Sequence, residues 1–233
     1  MFNLIGAAGI IIVIAACKIL NKLPHKNLVI KLFSTAIFIY KLGYYIYQNL
    51  IGSFMFPVEI STISYFLLFF ILIFKIKSLY CVGAFYGIIA GIGYFLFYTL
   101  LGFTVKTSFS INQIIIGSIC HGYLLVAGLY LFKENNFYTQ EKQKIWIAIF
   151  AMLCWSLLFY DAQINGVTFI YYIIKPQFLF ITPYMAVNML IMMAYYTLLV
   201  AVFWIAVNLF FRLNNTKPSA LTYIAQDKQN CNN

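Results

Sequence analysis

Seven long apolar stretches, separated by short polar connections, constrain the fold of this chain more than any other feature. A helix needs roughly 20 mostly apolar residues to cross a bilayer. Stretches of roughly this length recur along the whole sequence, at residues 3–20, 31–50, 56–74, 80–101, 111–132, 145–161 and 183–211. We therefore predict an all-α fold, a polytopic membrane helical bundle of about seven transmembrane helices.

Composition supports lipid as the main solvent of this chain. It is 64% apolar and 9% charged, whereas soluble domains carry about 25% charged residues. The formal net charge is +10, but the single arginine, Arg212, argues against a nucleic-acid partner, because phosphate recognition favours arginine. We predict a transmembrane bundle over residues 1–212 and, because residues 213–233 are rich in Asn, Gln, Lys and Ser, a disordered cytoplasmic tail.

The basic residues predict the orientation of the bundle. With seven spans, twelve of the fifteen Lys and Arg residues fall on one side of the membrane. The other side holds Lys41, Lys106 and Lys175. Because cytoplasmic connections carry the excess of Lys and Arg, we expect a multi-pass protein of the cell membrane, with its N-terminus outside and its C-terminus in the cytoplasm.

Polar residues inside the apolar stretches are the candidate functional groups, because such residues are costly at membrane depth. In the predicted topology the following fall in the outer half of the bundle: Lys41, Glu59, Ser61, Thr62, Ser64, His121, Asp161, Asn165 and Asn188. No comparable set occurs in the inner half. We interpret this convergence as a binding or catalytic site, in which Glu59 pairs with Lys41 or His121.

Each of these groups also has a purely structural interpretation. Pro57 at the first helical position and Glu59 in the first turn together are typical of a helix start. Ser61, Thr62 and Ser64 can hydrogen-bond to the backbone of their own helix. His121 can be a packed, hydrogen-bonded core residue. Most of the tyrosines near the outer boundary fit an interfacial aromatic belt.

Three glycines at intervals of four residues, Gly83, Gly87 and Gly91, form a stripe without side chains on the fourth span. Such stripes let two helices approach closely in lipid. The stripe therefore fits either packing inside the bundle or a homo-oligomer formed through it. The five scattered cysteines fit small apolar residues better than a disulfide or metal framework, so we predict no metal site.

Four stretches carry a family resemblance that covers nearly the whole chain. They are residues 56–64 (FPVEISTIS), the pair His121-Gly122, residues 165–172 (NGVTFIYY) and the pair Lys175-Pro176. In length, span count and motif order the chain resembles the bacterial YwaF-like integral membrane proteins, which are related to the eukaryotic transmembrane-protein-164 acyltransferases.

The resemblance implies a lipid acyl-transfer site. The positions of this chain that match the family motifs are Glu59, Ser61 and His121. Ser61 stands where the family usually has a cysteine, and more distant relatives that hydrolyse fatty-acid esters use a threonine with a histidine. A serine is a weaker nucleophile than a thiolate and needs an adjacent base. The implied enzyme uses Ser61 or Thr62 as nucleophile and His121 as base, on an acyl ester of a membrane lipid.

Two other classes of function compete with an acyltransferase or lipid-ester hydrolase. The first is a small-solute or proton-coupled transporter or binding protein without catalysis, in which Lys41, Glu59, His121 and Asn188 line a path. The second is a non-catalytic partner in a larger membrane complex. No Walker, zinc or flavin motif occurs in the sequence, so no cofactor is implied.

Overall fold

The structure, a computed structural model, describes residues 2–52, 57, 60–105, 111–158 and 185–216. Within these ranges the chain forms seven α-helices and no strand. The helices are α1 (Phe2–Lys22), α2 (Lys26–Leu50), α3 (Ile60–Phe74), α4 (Tyr80–Val105), α5 (Ile111–Glu134), α6 (Lys142–Leu158) and α7 (Met185–Asn215). Each coincides with one of the seven apolar stretches, so the predicted all-α fold is confirmed for the described part of the chain.

Three helix starts differ from the prediction by three residues or more. α2 begins at Lys26, five residues before the predicted start, and the Lys26 ammonium forms an ion pair with Glu134 at 2.7 Å. α6 begins at Lys142, three residues early. Pro57 lies outside α3, so its prediction as the first helical residue is wrong. Its carbonyl instead accepts a hydrogen bond from the Trp155 indole, 3.0 Å away.

The boundary predicted between bundle and tail, after Arg212, falls within α7. α7 continues past Arg212 to Asn215. Asn214 is buried, its amide donates to the Phe137 carbonyl at 2.8 Å, and its side-chain oxygen accepts from the Phe137 N–H at 3.2 Å. A side chain that satisfies two backbone groups of the α5–α6 connection belongs to the bundle. Residues 217–233 of the predicted tail lie outside the described residues.

α4 is the central helix and packs against α1, α3, α5, α6 and α7. Its glycine stripe faces neighbours within the chain. A Cβ at Gly87 would lie 2.8 Å from the Leu124 carbonyl oxygen and 3.0 Å from Gly128 Cα, and one at Gly91 would lie 2.9 Å from the His121 carbonyl oxygen. Gly83 faces Ile71 of α3 and Leu131 of α5. The stripe therefore packs inside the bundle, and an oligomer formed through it would have to displace α5.

Polar contacts gather at one end of the bundle. Lys26 at the start of α2 pairs with Glu134 at the end of α5, and next to this pair the Tyr130 hydroxyl donates to Asn27. Asn214 at the end of α7 binds the α5–α6 connection. The end that carries most of the basic residues is thus held together by side chains from four segments.

Four helical stretches in the described ranges are long and apolar enough to cross a membrane: 26–50, 77–100, 112–134 and 197–215. α3 is apolar but only 15 residues long. Large apolar side chains are widely exposed on the outer faces of the helices, among them Ile11, Leu32, Ile147, Phe150 and Trp204. This exposure is compatible with a multi-pass membrane protein, whose outer faces contact lipid.

Candidate functional site

The polar cluster in the bundle centres on a contact between α3 and α5. The Tyr65 hydroxyl lies 3.4 Å from His121 Nδ1, and the two rings meet edge to face with centroids 6.0 Å apart. Tyr65 is 1% exposed, and His121 is partly buried. The contact lies five residues into α3 and ten residues into α5. At a rise of 1.5 Å per residue it is about 8 to 15 Å below those helix starts.

A second hydrogen bond of His121 indicates which ring nitrogen carries the proton. Nδ1 lies 2.8 Å from the carbonyl oxygen of Gly117, one turn earlier on α5. A carbonyl oxygen only accepts, so Nδ1 is the donor in this bond. In the neutral imidazole the other nitrogen, Nε2, then carries the lone pair. The backbone of α5 thereby presents Nε2 as the basic atom of the site.

Aromatic rings from α4 form one wall of the site. The Tyr94 ring stacks on the His121 imidazole with centroids 3.9 Å apart and planes inclined by 12°. Its hydroxyl donates to the Ile114 carbonyl at 3.2 Å, and Tyr98 packs behind it with centroids 4.7 Å apart. A Cβ at Gly117 would collide with Tyr94, so the glycine leaves the space that this ring occupies. Stacking fixes the plane in which the imidazole lies.

Lys41 of α2 completes the centre of the site. Its ammonium lies 4.8 Å from the centroid of the Tyr65 ring and 5.9 Å from that of Tyr40. Both distances are within the range of a cation–π interaction, which is strengthened where water is excluded. Lys41, Tyr65 and His121 thus join three helices through an ammonium, a phenol and an imidazole. We call Lys41, Tyr65, Tyr94 and His121 the imidazole site.

The hydroxyls at the start of α3 have separate partners. Thr62 Oγ1 and the Tyr45 hydroxyl of α2 are 3.0 Å apart. Ser64 donates to the Ile60 carbonyl of its own helix at 2.6 Å, as one interpretation predicted. Ser61 is buried and lies four residues before Tyr65, so the two share one face of α3. Among the described residues, His121 hydrogen-bonds to Tyr65 and Gly117 and to neither Ser61 nor Thr62.

The structure brings together only part of the predicted set. Lys41 and His121 both contact Tyr65, and Ser61 and Thr62 lie within one turn of it on α3. Glu59, Asp161 and Asn165 lie outside the described residues, so the predicted pairing of Glu59 stays a prediction. Asn188 is the fourth residue of α7, and its side chain lies outside the described part as well.

The tyrosines that contact His121 are Tyr65 and Tyr94, and neither is among the site residues predicted from the sequence. Tyr45 of α2, whose hydroxyl contacts Thr62, is not among them either. The sequence held one usable signal, because a glycine four residues before a histidine at membrane depth leaves space for a neighbouring ring.

A groove opens beside this site between α2 and α3. It has a volume of about 520 Å³ and is lined mainly by apolar side chains, among them Leu42, Ile46, Leu50 and Phe66. Tyr45 also lines it, and the same side chain contacts Thr62. Tyr45 therefore contacts both this groove and one of the hydroxyls of α3.

Comparison with known proteins returns no relative. No protein-family model, no curated protein and no solved structure matches the chain.

Proposed function

We propose that the chain is a seven-span membrane protein with its N-terminus outside, and that the imidazole site handles an acyl ester of a membrane lipid. The activity we infer is acyl transfer or ester hydrolysis of the YwaF-like type. The observation that carries the proposal is the state of His121, whose Nδ1 is held by Gly117 while Nε2 is left as a base. The resemblance of residues 56–64 supports the same reading.

Charge asymmetry supports the orientation. The predicted cytoplasmic side holds twelve basic residues. The Lys26–Glu134 ion pair and the hydrogen bond of Asn214 to Phe137 lie at that same end. The imidazole site lies nearer the opposite ends of the helices. Under the positive-inside rule the site therefore belongs to the outer half of the membrane.

The proposed reaction uses Ser61 as the nucleophile. Its Oγ attacks the ester carbonyl carbon while its proton passes to His121 Nε2. The bond from that carbon to the alcohol oxygen then breaks, the alcohol leaves with the proton from Nε2, and the acyl group remains on Ser61. Water or a second alcohol takes the acyl group by the same steps. Lys41 and the Tyr65 hydroxyl are the groups available to stabilise negative charge on the carbonyl oxygen.

A second candidate function is lipid or solute binding without catalysis. It is favoured by the partners of the proposed base and of one candidate nucleophile. His121 hydrogen-bonds to Tyr65 and Gly117, and Thr62 contacts Tyr45 rather than His121. In this case Lys41, Tyr65 and His121 hold the carbonyl or carboxylate of a ligand that is released unchanged.

Covalent labelling separates the two candidates. The purified protein in detergent is treated with a fluorescent fluorophosphonate probe that reacts with activated serines. Acyl transfer predicts labelling that is lost in Ser61→Ala and in His121→Gln. Ser34→Ala, which removes a buried serine of α2 away from the site, is the matched control and keeps the label. An unlabelled wild type that still binds a fluorescent fatty-acid ester, with weaker binding in His121→Gln, favours binding without catalysis.

A further inference from the structure

A second, larger groove runs between α3, α4 and α6. It has a volume of about 690 Å³. Most of its wall is apolar, including Ile63, Leu67, Val82, Ala148 and Met152. It lies on a different face of α3 from the one that carries Ser61 and Tyr65, so it is separate from the imidazole site.

The two ends of this groove differ chemically. At one end stands Lys144, with 42% of its side chain exposed. Its ammonium donates one hydrogen to Glu141 at 3.1 Å and has two further N–H groups to offer. At the other end stands Trp155, which is fixed by its hydrogen bond to the Pro57 carbonyl at 3.0 Å. The groove thus runs from an ammonium group at one end to an indole ring at the other.

The length of the groove matches one leaflet. Lys144 and Trp155 are eleven residues apart on α6, which corresponds to about 16 Å at 1.5 Å per residue. Half of a hydrocarbon core of about 30 Å is similar. A lipid whose headgroup lies level with Lys144 would therefore place its acyl chain along the groove and end it near Trp155.

We propose that this groove binds one anionic phospholipid from the leaflet at the basic end of the bundle. The phosphate contacts the Lys144 ammonium, and one acyl chain lies against Ile63, Leu67, Ala148 and Ala151. Charge complementarity selects the anionic headgroup, because basic pockets between helices at the cytoplasmic side attract such lipids. Leu79 is part of the groove wall, and Lys75 and Lys77, a few residues before it in the sequence, add positive charge at the same end. The inference does not depend on the proposed acyl-transfer activity.

The experiment uses Trp155 as the reporter. The chain has three tryptophans, so Trp146→Phe and Trp204→Phe leave Trp155 alone. This protein is placed in phosphatidylcholine nanodiscs with rising fractions of phosphatidylglycerol whose chains carry bromine, a quencher of indole fluorescence. The proposal predicts saturable quenching at a low fraction of brominated phosphatidylglycerol. Brominated phosphatidylcholine should quench only in proportion to its fraction.

Paired variants test each end of the site. Lys144→Gln should raise the half-quenching fraction of phosphatidylglycerol about fivefold, the effect of one lysine near an anionic surface. Lys142→Gln should change it less, because Lys142 is not one of the groove-lining residues and its ammonium contacts Asn208 and the Phe211 ring. Ala151→Phe fills the groove and should abolish the headgroup preference, whereas the exposed control Ala201→Phe should retain it.

Two results would overturn the proposal. One is equal quenching by the two brominated lipids, and the other is quenching that Lys144→Gln and Ala151→Phe leave unchanged. If the single-tryptophan protein does not fold, native mass spectrometry of the wild type with unbrominated lipids decides. The wild type should then retain one phosphatidylglycerol that Lys144→Gln loses, and equal retention by both proteins refutes the site.

Discussion

The ring of Tyr94 lies flat against the imidazole of His121, with centroids 3.9 Å apart and planes inclined by only 12°. This stack and the Nδ1 bond to Gly117 fix the ring plane and the tautomer of the histidine together. Neither contact needs a charged partner. The site therefore holds a basic nitrogen in a defined position by means of one aromatic face and one backbone carbonyl.

Tyr94 should contribute to stability mainly through this stack. Tyr94→Leu removes both the stack and the hydrogen bond to Ile114, and should lower the free energy of unfolding by about 1–3 kcal/mol. Tyr94→Phe keeps the ring and should lose about 1 kcal/mol or less. Unfolding in detergent, followed by circular dichroism, measures both. Equal losses in the two variants would mean that the stack adds nothing.

The close approach of α4 and α5 gives a prediction with a built-in control. Gly87→Ala places a methyl group 2.8 Å from the Leu124 carbonyl oxygen and should destabilise the bundle by about 1–3 kcal/mol. Gly93, on the same helix, has nothing within 4 Å of the position of a Cβ. Gly93→Ala should leave stability unchanged or raise it by up to about 1 kcal/mol. Thermal unfolding of the two variants side by side tests the difference, and the packing account fails if they melt alike.

The double hydrogen bond of Asn214 predicts where the bundle ends. Asn214→Ala removes two hydrogen bonds to the Phe137 backbone and should lower the free energy of unfolding by about 1–3 kcal/mol. The exposed neighbour variant Asn215→Ala should fall within about 0.5 kcal/mol of the wild type. A chain ended after Thr216 should melt like the full protein, and one ended after Arg212 should melt earlier. Equal melting temperatures of the two truncated proteins would place the end of the stable bundle at Arg212.

Reporter fusions test the orientation. Fusions after Lys26, Lys77 and Lys142 should report cytoplasm, because the basic connections remain inside. A fusion after Lys106 should report the outside. A cytoplasmic result at Lys106 would reverse the assignment and move the imidazole site to the inner half.

The helices were predictable from the sequence because each coincides with a long apolar stretch, and such stretches are recognised from hydropathy alone. The ion pair of Lys26 was not predictable, since its partner Glu134 lies 108 residues away in the sequence. The candidate site divides in the same way. Lys41, Ser61, Thr62 and His121 stood out as polar groups at membrane depth, but their partners depend on how each helix is rotated about its axis. In the structure, the rotation of the helices brings Thr62 into contact with Tyr45 and His121 into contact with Tyr65.

The most direct test of the central claim places a phospholipid ester in one leaflet at a time. The protein is reconstituted in vesicles, and its orientation is determined by protease protection. A phospholipid with a labelled fatty-acid chain is then introduced into either the outer or the inner leaflet. The account predicts product from the lipid in the leaflet that corresponds to the outside of the cell, and a loss of at least about 100-fold in His121→Gln, the scale of general-base catalysis. Absence of product from either leaflet, or product that His121→Gln does not reduce, would contradict it.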